Sequence, residues 1–132
     1  MNVVVDTSAF LALLDASEQN HEHAERIWRQ LIEQDALLFC TSFVLVETAA
    51  LVQNRLGLSQ LRAFHENVFP FLRILWVDAA LYNAGMTTLL TANRRRLSLV
   101  DCVTFAAMRQ TGLNSAFAFD THFSEQGFEL LR

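Results

Sequence analysis

Val3-Val4-Val5-Asp6-Thr7-Ser8-Ala9-Phe10 is the stretch of sequence that decides the fold. The three β-branched valines favour a short strand. An apolar pattern with helical spacing begins at Phe10 and continues to Leu14, so the strand turns directly into a helix with Asp6 at the junction. The strand is apolar at every position, which is typical of a parallel sheet whose two faces are both covered by helices.

The rest of the chain repeats this alternation of short apolar strands and helices. We predict further strands at 36–40, 74–77, 116–119 and 128–131, and further helices at 18–34, 43–56, 59–68, 79–92 and 98–110. This order predicts an α/β fold with three layers, α/β/α, around a short, mainly parallel central sheet. No internal repeat or linker interrupts it, so we expect a single domain over residues 1–132.

The composition excludes several classes of protein. The chain is 52% hydrophobic and only 18% charged, which excludes intrinsic disorder. No apolar run approaches the ~20 residues that span a bilayer, and the first residues lack the basic segment of a secretory signal. We therefore expect a cytoplasmic protein without membrane contact. The absence of any lysine excludes a P-loop and a pyridoxal-phosphate site.

Four carboxylates lie in apolar stretches of the sequence, where burying a charged group is energetically unfavourable. Asp6 follows the first strand, Asp120 follows the fourth, Glu47 lies inside an apolar helix, and Asp101 lies in the first turn of another. In a parallel sheet, strand ends and the helices that start beside them meet at one edge, so all four are expected in one region. Their mutual repulsion requires compensation, and a divalent cation such as Mg²⁺ or Mn²⁺ is the simplest one.

Each of these residues also has a purely structural interpretation. Asp6 can cap a helix, and the spacing from Ser98 to Asp101 fits a capping box. Asp120 can begin a turn, and Glu47 can pair with a buried arginine. Four unrelated structural roles would not place all four carboxylates at the same edge of the sheet. We therefore favour a shared metal-binding role for the group.

The order of these motifs resembles that of the PIN-domain ribonucleases, and within them the VapC-type toxins of toxin–antitoxin pairs. The resemblance covers essentially the whole chain. It rests on Asp6-Thr7-Ser8, the helical Glu47, Ser98-Leu99-x-Asp101 and Phe119-Asp120-x-His122-Phe123, with His21-Glu22-x-Ala24 and Gly127-Phe128 as further matches. It implies a parallel sheet between helices and endonucleolytic hydrolysis of RNA.

The resemblance also implies that Mg²⁺ or Mn²⁺ is held by Asp6, Glu47, Asp101 and Asp120. We expect Asp6 and Asp101 to be direct ligands, while Glu47 and Asp120 bind directly, act through water or position a second ion. We expect Thr7, Ser8 and Thr121 to hydrogen-bond the carboxylates or the scissile phosphate. The implied partners are an RNA substrate, an antitoxin protein and a second copy of the chain.

Three further features each allow two interpretations. Arg94, Arg95 and Arg96 precede the last long helix, and we expect them to contact RNA phosphates, with a solvated loop as the alternative. We expect a local structural role for His122, with substrate contact as the alternative. The helices at 43–56 and 59–69 carry more apolar residues than one core needs, which favours a homodimer or antitoxin contact.

Two other functions fit the same residues. The first is a PIN-like module that only binds, which the four intact carboxylates argue against, because a binding module gains nothing from their repulsion. The second is a metal-dependent phosphohydrolase that acts on DNA or on small phosphate esters. Cleavage of RNA compared with DNA oligonucleotides discriminates between them.

Overall fold

The computed structural model describes all 132 residues and contains five strands and seven α-helices. The strands are β1 (Asn2–Val5), β2 (Leu37–Thr41), β3 (Leu72–Leu75), β4 (Ser115–Phe117) and β5 (Glu129–Leu131). The helices are α1 (Thr7–Leu14), α2 (His21–Glu33), α3 (Ser42–Leu56), α4 (Leu58–Asn67), α5 (Ala79–Ala92), α6 (Leu99–Thr111) and α7 (His122–Glu125).

The five strands form one sheet in the order β3-β2-β1-β4-β5, and every pair is parallel. The predicted α/β fold with a mainly parallel sheet is therefore confirmed, and the sheet is parallel throughout. The register pairs Val3 with Leu38 of β2 and with Ser115 of β4. The carboxyl end of the central strand β1, and Asp6 directly after it, therefore lie between β2 and β4.

Both faces of the sheet are covered. Val3 and Val5 pack with Phe10, Val44 and Phe64 of α1, α3 and α4 on one face. Val4 faces the other side, where it packs in a cluster with side chains of α6 and α7. All three valines are fully buried, which explains why β1 is apolar at every position rather than at alternate ones.

Side-chain caps fix where the helices begin. Thr41 caps α3 by accepting from the Val44 N–H at 3.1 Å, and Ser98 caps α6 by accepting from the Asp101 N–H at 3.0 Å. Gly57 and Gly112 follow α3 and α6 with positive φ, a conformation that glycine adopts without strain. These starts and stops agree with the predicted ones to within about a residue.

Helices α5 and α6 approach each other closely at Gly85. A Cβ placed there would lie 2.4 Å from Cγ2 of Val103, closer than atoms can pack. The absence of a side chain therefore lets α5 lie directly against α6. This contact fixes the position of α6, the helix that carries Asp101.

Three predicted boundaries were wrong. The third strand is Leu72–Leu75 rather than 74–77, because the Val77 N–H donates to the Ser42 hydroxyl at 2.9 Å instead of joining the sheet. The fourth strand ends at Phe117 rather than at Phe119. Helix α2 begins at His21, three residues after the predicted position 18. The short helix α7 was not predicted at all.

Cys40 and Cys102 are both buried and both have free thiols. Burial raises the pKa of the Cys40 thiol to about 12, which keeps it protonated and unreactive. None of the helices is both long and apolar enough to cross a bilayer.

Candidate metal centre

Three aspartates meet at the carboxyl edge of the sheet. Asp6 directly follows β1, and its backbone N–H donates to the Phe117 carbonyl at the end of β4. Asp120 lies three residues beyond that strand end. Helix α6 runs back along the sheet and begins at the same edge, so its first turn brings Asp101 to the other two.

Asp6 is buried, with 5% of its surface exposed, and Ser8 holds its carboxylate in place. Oδ2 of Asp6 accepts from the Ser8 N–H at 3.1 Å and from the Ser8 hydroxyl at 2.6 Å. The Ser8 oxygen in turn accepts from the Phe119 N–H at 3.0 Å. One serine therefore orients Asp6 and ties it to the segment that carries Asp120.

The three carboxylates influence one another electrostatically. Burial raises the pKa of Asp6 from 3.8 to about 6, the charges of Asp101 and Asp120 contribute to the rise, and the hydrogen bonds from Ser8 oppose it. Burial likewise raises the pKa of Asp101, the charge of Asp120 raises it further, and the neighbouring Ser98 and His122 oppose the rise. The metal-free site is therefore a place where negative charge is costly.

His122 completes the cluster from the start of α7. Its backbone N–H donates to Oδ1 of Asp120 at 2.8 Å, which folds the chain back so that the ring meets the aspartates. Nδ1 of His122 lies 3.1 Å from Oδ1 of Asp120 and 3.5 Å from Oδ2 of Asp101. This nitrogen is buried and has no partner in hydrogen-bonding geometry.

The site fits a divalent cation. One ligand atom from each of Asp101, Asp120 and His122 lies within 4.8 Å of the others. Hard carboxylate oxygens suit Mg²⁺ or Mn²⁺. A cation would also offset the repulsion that raises the aspartate pKa values, and it would give the unpartnered nitrogen a partner.

The structure does not bring every predicted site residue into contact with this cluster. Glu47 lies half-buried on α3; its carboxylate accepts no hydrogen bond and forms no ion pair, so its metal role stays a prediction. The Thr7 hydroxyl accepts from Thr48 at 3.2 Å instead of binding a carboxylate. Thr121 is exposed, and its side chain does not cap α7.

The arginine run lies in the connection between α5 and α6, just before the helix that carries Asp101. All three arginines are exposed. Arg94 forms an ion pair with Glu125 of α7, with Nη1 3.1 Å from Oε2. Arg95 and Arg96 form no ion pair or side-chain hydrogen bond, so their guanidinium groups remain available to a ligand.

His122 lies in the cluster, although from the sequence we expected it to have only a local structural role. The feature of the sequence that indicates its position is the Asp120-x-His122 spacing, because an aspartate commonly accepts a hydrogen bond from the backbone N–H two residues later. Such a turn places the second residue beside the carboxylate. The spacing alone left open whether the ring points toward Asp101 or into solvent.

This fold, with aspartates gathered at the carboxyl edge of a parallel sheet, is that of a nuclease family. The family model described as the PIN domain matches residues 3–129, and the chain belongs to this family. The resemblance inferred from the motifs is thereby confirmed.

Three matches extend over nearly the whole chain. The 23S rRNA-specific endonuclease VapC20 of Mycobacterium tuberculosis is 32% identical over 131 residues, 98% of both chains. The crystal structure of that protein, described as a sarcin–ricin loop cleaving toxin, matches 96% of this chain and 95% of its own with a TM-score of 0.84. The structure of VapBC2 from Rickettsia felis, bound to a promoter DNA fragment, shares the fold at 13% identity, with a TM-score of 0.73 over 99% and 98% of the chains.

Proposed function

We propose that this protein is a Mg²⁺- or Mn²⁺-dependent endoribonuclease and the toxin of a toxin–antitoxin pair. The observation that carries the proposal is the convergence of Asp6, Asp101 and Asp120 at one edge, where burial and their mutual charge raise the pKa of both Asp6 and Asp101. Membership of the PIN family and the 32% identity to a ribosomal RNA endonuclease support RNA as the substrate.

Asp6, Asp101 and Asp120 would hold the cation, with Glu47 as a further or water-mediated ligand. When bound, the cation supplies an activated water and offsets negative charge on the phosphate. Ser8 keeps Asp6 in one orientation through its two hydrogen bonds. Thr7 and Thr121 remain candidates for contact with the scissile phosphate, and Arg94, Arg95 and Arg96 would hold flanking phosphates.

Ribosomal RNA is the first substrate to test. The relative with 32% identity is described as specific for 23S rRNA, and the solved structure of that protein is described as a sarcin–ricin loop cleaving toxin. We propose that the present chain acts on a structured ribosomal RNA in the cytoplasm. The comparison set is ribosomes, naked 23S rRNA, tRNA and a DNA oligonucleotide of the same loop sequence.

The catalytic assignment predicts that RNA cleavage requires Mg²⁺ or Mn²⁺ and stops with a chelator. Asp6→Asn and Asp101→Asn should each lower the cleavage rate by orders of magnitude, because each removes a charge that holds the cation. Gel analysis of end-labelled RNA measures the rate, and circular dichroism checks that both variants fold.

The matched control is Asp35→Asn, which makes the same chemical change at an exposed turn with φ of 52°. Asparagine tolerates this conformation, so this variant should cleave like the wild type. All proteins are purified by the same steps. Unchanged cleavage by both site variants would show that the aspartates are not catalytic or that the activity is a contaminant.

We also propose an antitoxin partner and a homodimer. Support for the antitoxin comes from the 32% identity to a protein whose solved structure is described as a toxin. Co-expression with the protein of the adjacent gene, followed by co-purification and a cleavage assay, tests this. A small partner that binds the chain and blocks RNA cleavage is the expected result; a neighbour that neither binds nor inhibits contradicts it.

A further inference from the structure

We propose that His122 is itself a ligand of the cation, through Nδ1, so that the centre is a mixed nitrogen and oxygen site with a preference for Mn²⁺ over Mg²⁺. This inference rests on the proposed function, since it adds a ligand to the cation which that function requires. It differs from the all-carboxylate site expected from the sequence.

The spacing around Nδ1 is that of ligands on one ion. Neighbouring ligands in an octahedron with bonds of about 2.1 Å lie roughly 3.0 Å apart. Nδ1 lies 3.1 Å from Oδ1 of Asp120 and 3.5 Å from Oδ2 of Asp101. The three atoms could therefore share an ion with only small side-chain movements.

Within the protein, Nδ1 has one alternative role, since a protonated His122 would form ion pairs through it with Asp120 and Asp101. If Nδ1 carries the proton, that proton has no acceptor in hydrogen-bonding geometry, although the atom is buried. If Nδ1 carries the lone pair, the lone pair faces two carboxylates. A bound cation would remove the repulsion between the lone pair and the carboxylates, because a neutral imidazole nitrogen and two carboxylates are all electron-pair donors.

The backbone holds the ring in this position independently of any ion. The Asp120 carboxylate accepts from the His122 N–H, and the next residue, Phe123, is fully buried, where its ring packs edge-on against Phe105 with centroids 5.0 Å apart. The side chain of His122 is itself only 18% exposed. A ligand held in place in this way loses little freedom when it binds a metal ion.

A nitrogen ligand has a consequence for metal choice. Mg²⁺ binds almost only oxygen and keeps several of its waters. Mn²⁺ stands at the weak end of the first-row series, but as a transition-metal ion it accepts an imidazole nitrogen more readily than Mg²⁺ does. His122→Ala should therefore weaken Mn²⁺ binding more than Mg²⁺ binding, and the ratio of the two dissociation constants should change by about tenfold.

The decisive experiment uses the wild-type protein loaded with Mn²⁺ alone. Pulsed electron paramagnetic resonance detects ¹⁴N coupled to the ion, and a second sample is grown with ¹⁵N-labelled histidine. We expect a ¹⁴N signal that changes to the ¹⁵N pattern in the labelled sample. Identical spectra from the two samples, with Mn²⁺ bound in both, would overturn the proposal.

Two variants assign the signal to one histidine. His122→Ala should lose the nitrogen coupling, whereas His65→Ala, on the exposed face of α4, should keep it. Persistence of the coupling in His122→Ala would contradict the assignment. Isothermal titration with Mn²⁺ and with Mg²⁺ gives the selectivity ratio, which a residue that merely orients the aspartates would leave unchanged.

The spectroscopic result is independent of RNA cleavage. Metal-dependent cleavage without histidine coupling would leave the proposed function intact and remove His122 from the ligand set. Histidine coupling without cleavage of any RNA tested would confirm the ligand and contradict the proposed function.

Discussion

Asp6 performs two tasks whose energetic demands conflict. As the residue before α1 it accepts hydrogen bonds from Ser8, which stabilises the helix start and favours the charged carboxylate. As a buried neighbour of Asp101 and Asp120 it is destabilised when charged, and the second effect is larger, because its pKa rises to about 6. A metal-binding role accounts for this excess charge, whereas a cap alone does not require the other two aspartates.

The raised pKa of Asp6 predicts a pH dependence of stability in the metal-free protein. Since the folded pKa of about 6 exceeds the ordinary value of 3.8, the folded state binds a proton more tightly than the unfolded state does. The contribution of this group to the free energy of unfolding therefore rises as the pH falls through about 6, and it is complete near pH 4. It amounts to about 3 kcal/mol at most.

Asp6→Asn isolates this contribution, because asparagine also caps helices but does not titrate. In the presence of a chelator, the variant should be more stable than the wild type at pH 7.5, and the difference should shrink toward pH 4. Urea unfolding at a series of pH values measures it, with Asp35→Asn as the control. Parallel pH profiles for wild type and Asp6→Asn would contradict the predicted titration.

The sequence contained enough information to predict that Asp6, Asp101 and Asp120 lie together at one edge of the sheet, and less to predict what they contact; their catalytic role stays a prediction. A carboxylate that ends an apolar strand, as Asp6 does, is anomalous in any sequence, so it attracts attention. His122 is not anomalous, because histidine is common at partly exposed positions. Its importance depends on the direction of its ring, which only the turn at Asp120 and the packing of Phe123 determine.

At the scale of secondary-structure elements, the proposed RNA contact of the connection between α5 and α6 can be tested by mutation. Replacing Arg94, Arg95 and Arg96 together with alanine should weaken RNA binding and flatten its dependence on salt, since fewer phosphate counterions are released. Arg95 and Arg96 should account for most of the effect, because Arg94 is already paired with Glu125. Fluorescence anisotropy with a catalytically inactive variant at several salt concentrations measures both quantities.

A control with the same change in net charge is the triple alanine variant of Arg29, Arg55 and Arg62, which are exposed on α2, α3 and α4. Its affinity and salt slope should stay close to those of the starting protein. Equal effects of the two triple variants would indicate that overall charge matters and that the run is only a solvated connection.

Elements with caps were predictable and elements without them were less so. Thr41 and Ser98 mark helix starts in the sequence and accept the expected hydrogen bonds. The third strand was placed two residues late because Trp76 and Val77 favour a strand by composition. In the structure Trp76 is 71% exposed, and Val77 is held by the side chain of Ser42. A long-range contact thus outweighs local preference there.

At the scale of the whole molecule, we propose that the exposed apolar side chains of Val46, Trp76 and Tyr82 form a patch that serves as the homodimer interface. Val46 and Trp76 are 65% and 71% exposed. The Tyr82 ring packs edge-on against Phe43, with centroids 6.3 Å apart, and Phe43 lies one helical turn before Val46. A contiguous apolar surface made by these side chains would mark an interaction site.

Trp76→Ser should therefore shift the protein from dimer toward monomer, because it removes the largest apolar side chain of the patch. Light scattering after size-exclusion chromatography measures the mass. Leu90→Ser, at an equally exposed position near the end of α5, is the control and should leave the mass unchanged. A wild-type protein that is monomeric at high concentration would contradict the homodimer, and an unaffected dimer in Trp76→Ser would exclude this patch as its interface.

The strand order could not be predicted from the sequence, although the parallel arrangement could. Strands that are apolar at every position, such as β1, carry no face pattern that selects their neighbours. The order β3-β2-β1-β4-β5 follows from which helices connect the strands and from how those helices pack. The sheet edge that carries the site was nevertheless predictable, because parallel strands place all their carboxyl ends together.

The position of β4 beside β1 sets an order in time for the formation of the metal centre. The ribosome adds Asp6 long before it adds Asp120 and His122. Until the segment after Thr111 has left the ribosome, β1 lacks its second neighbour, and Asp6 lacks the groups that complete the cluster. A nascent chain that stops before Asp120 therefore lacks the assembled aspartate cluster, and the proposed cation site can form only after β4 and α7 have been synthesised.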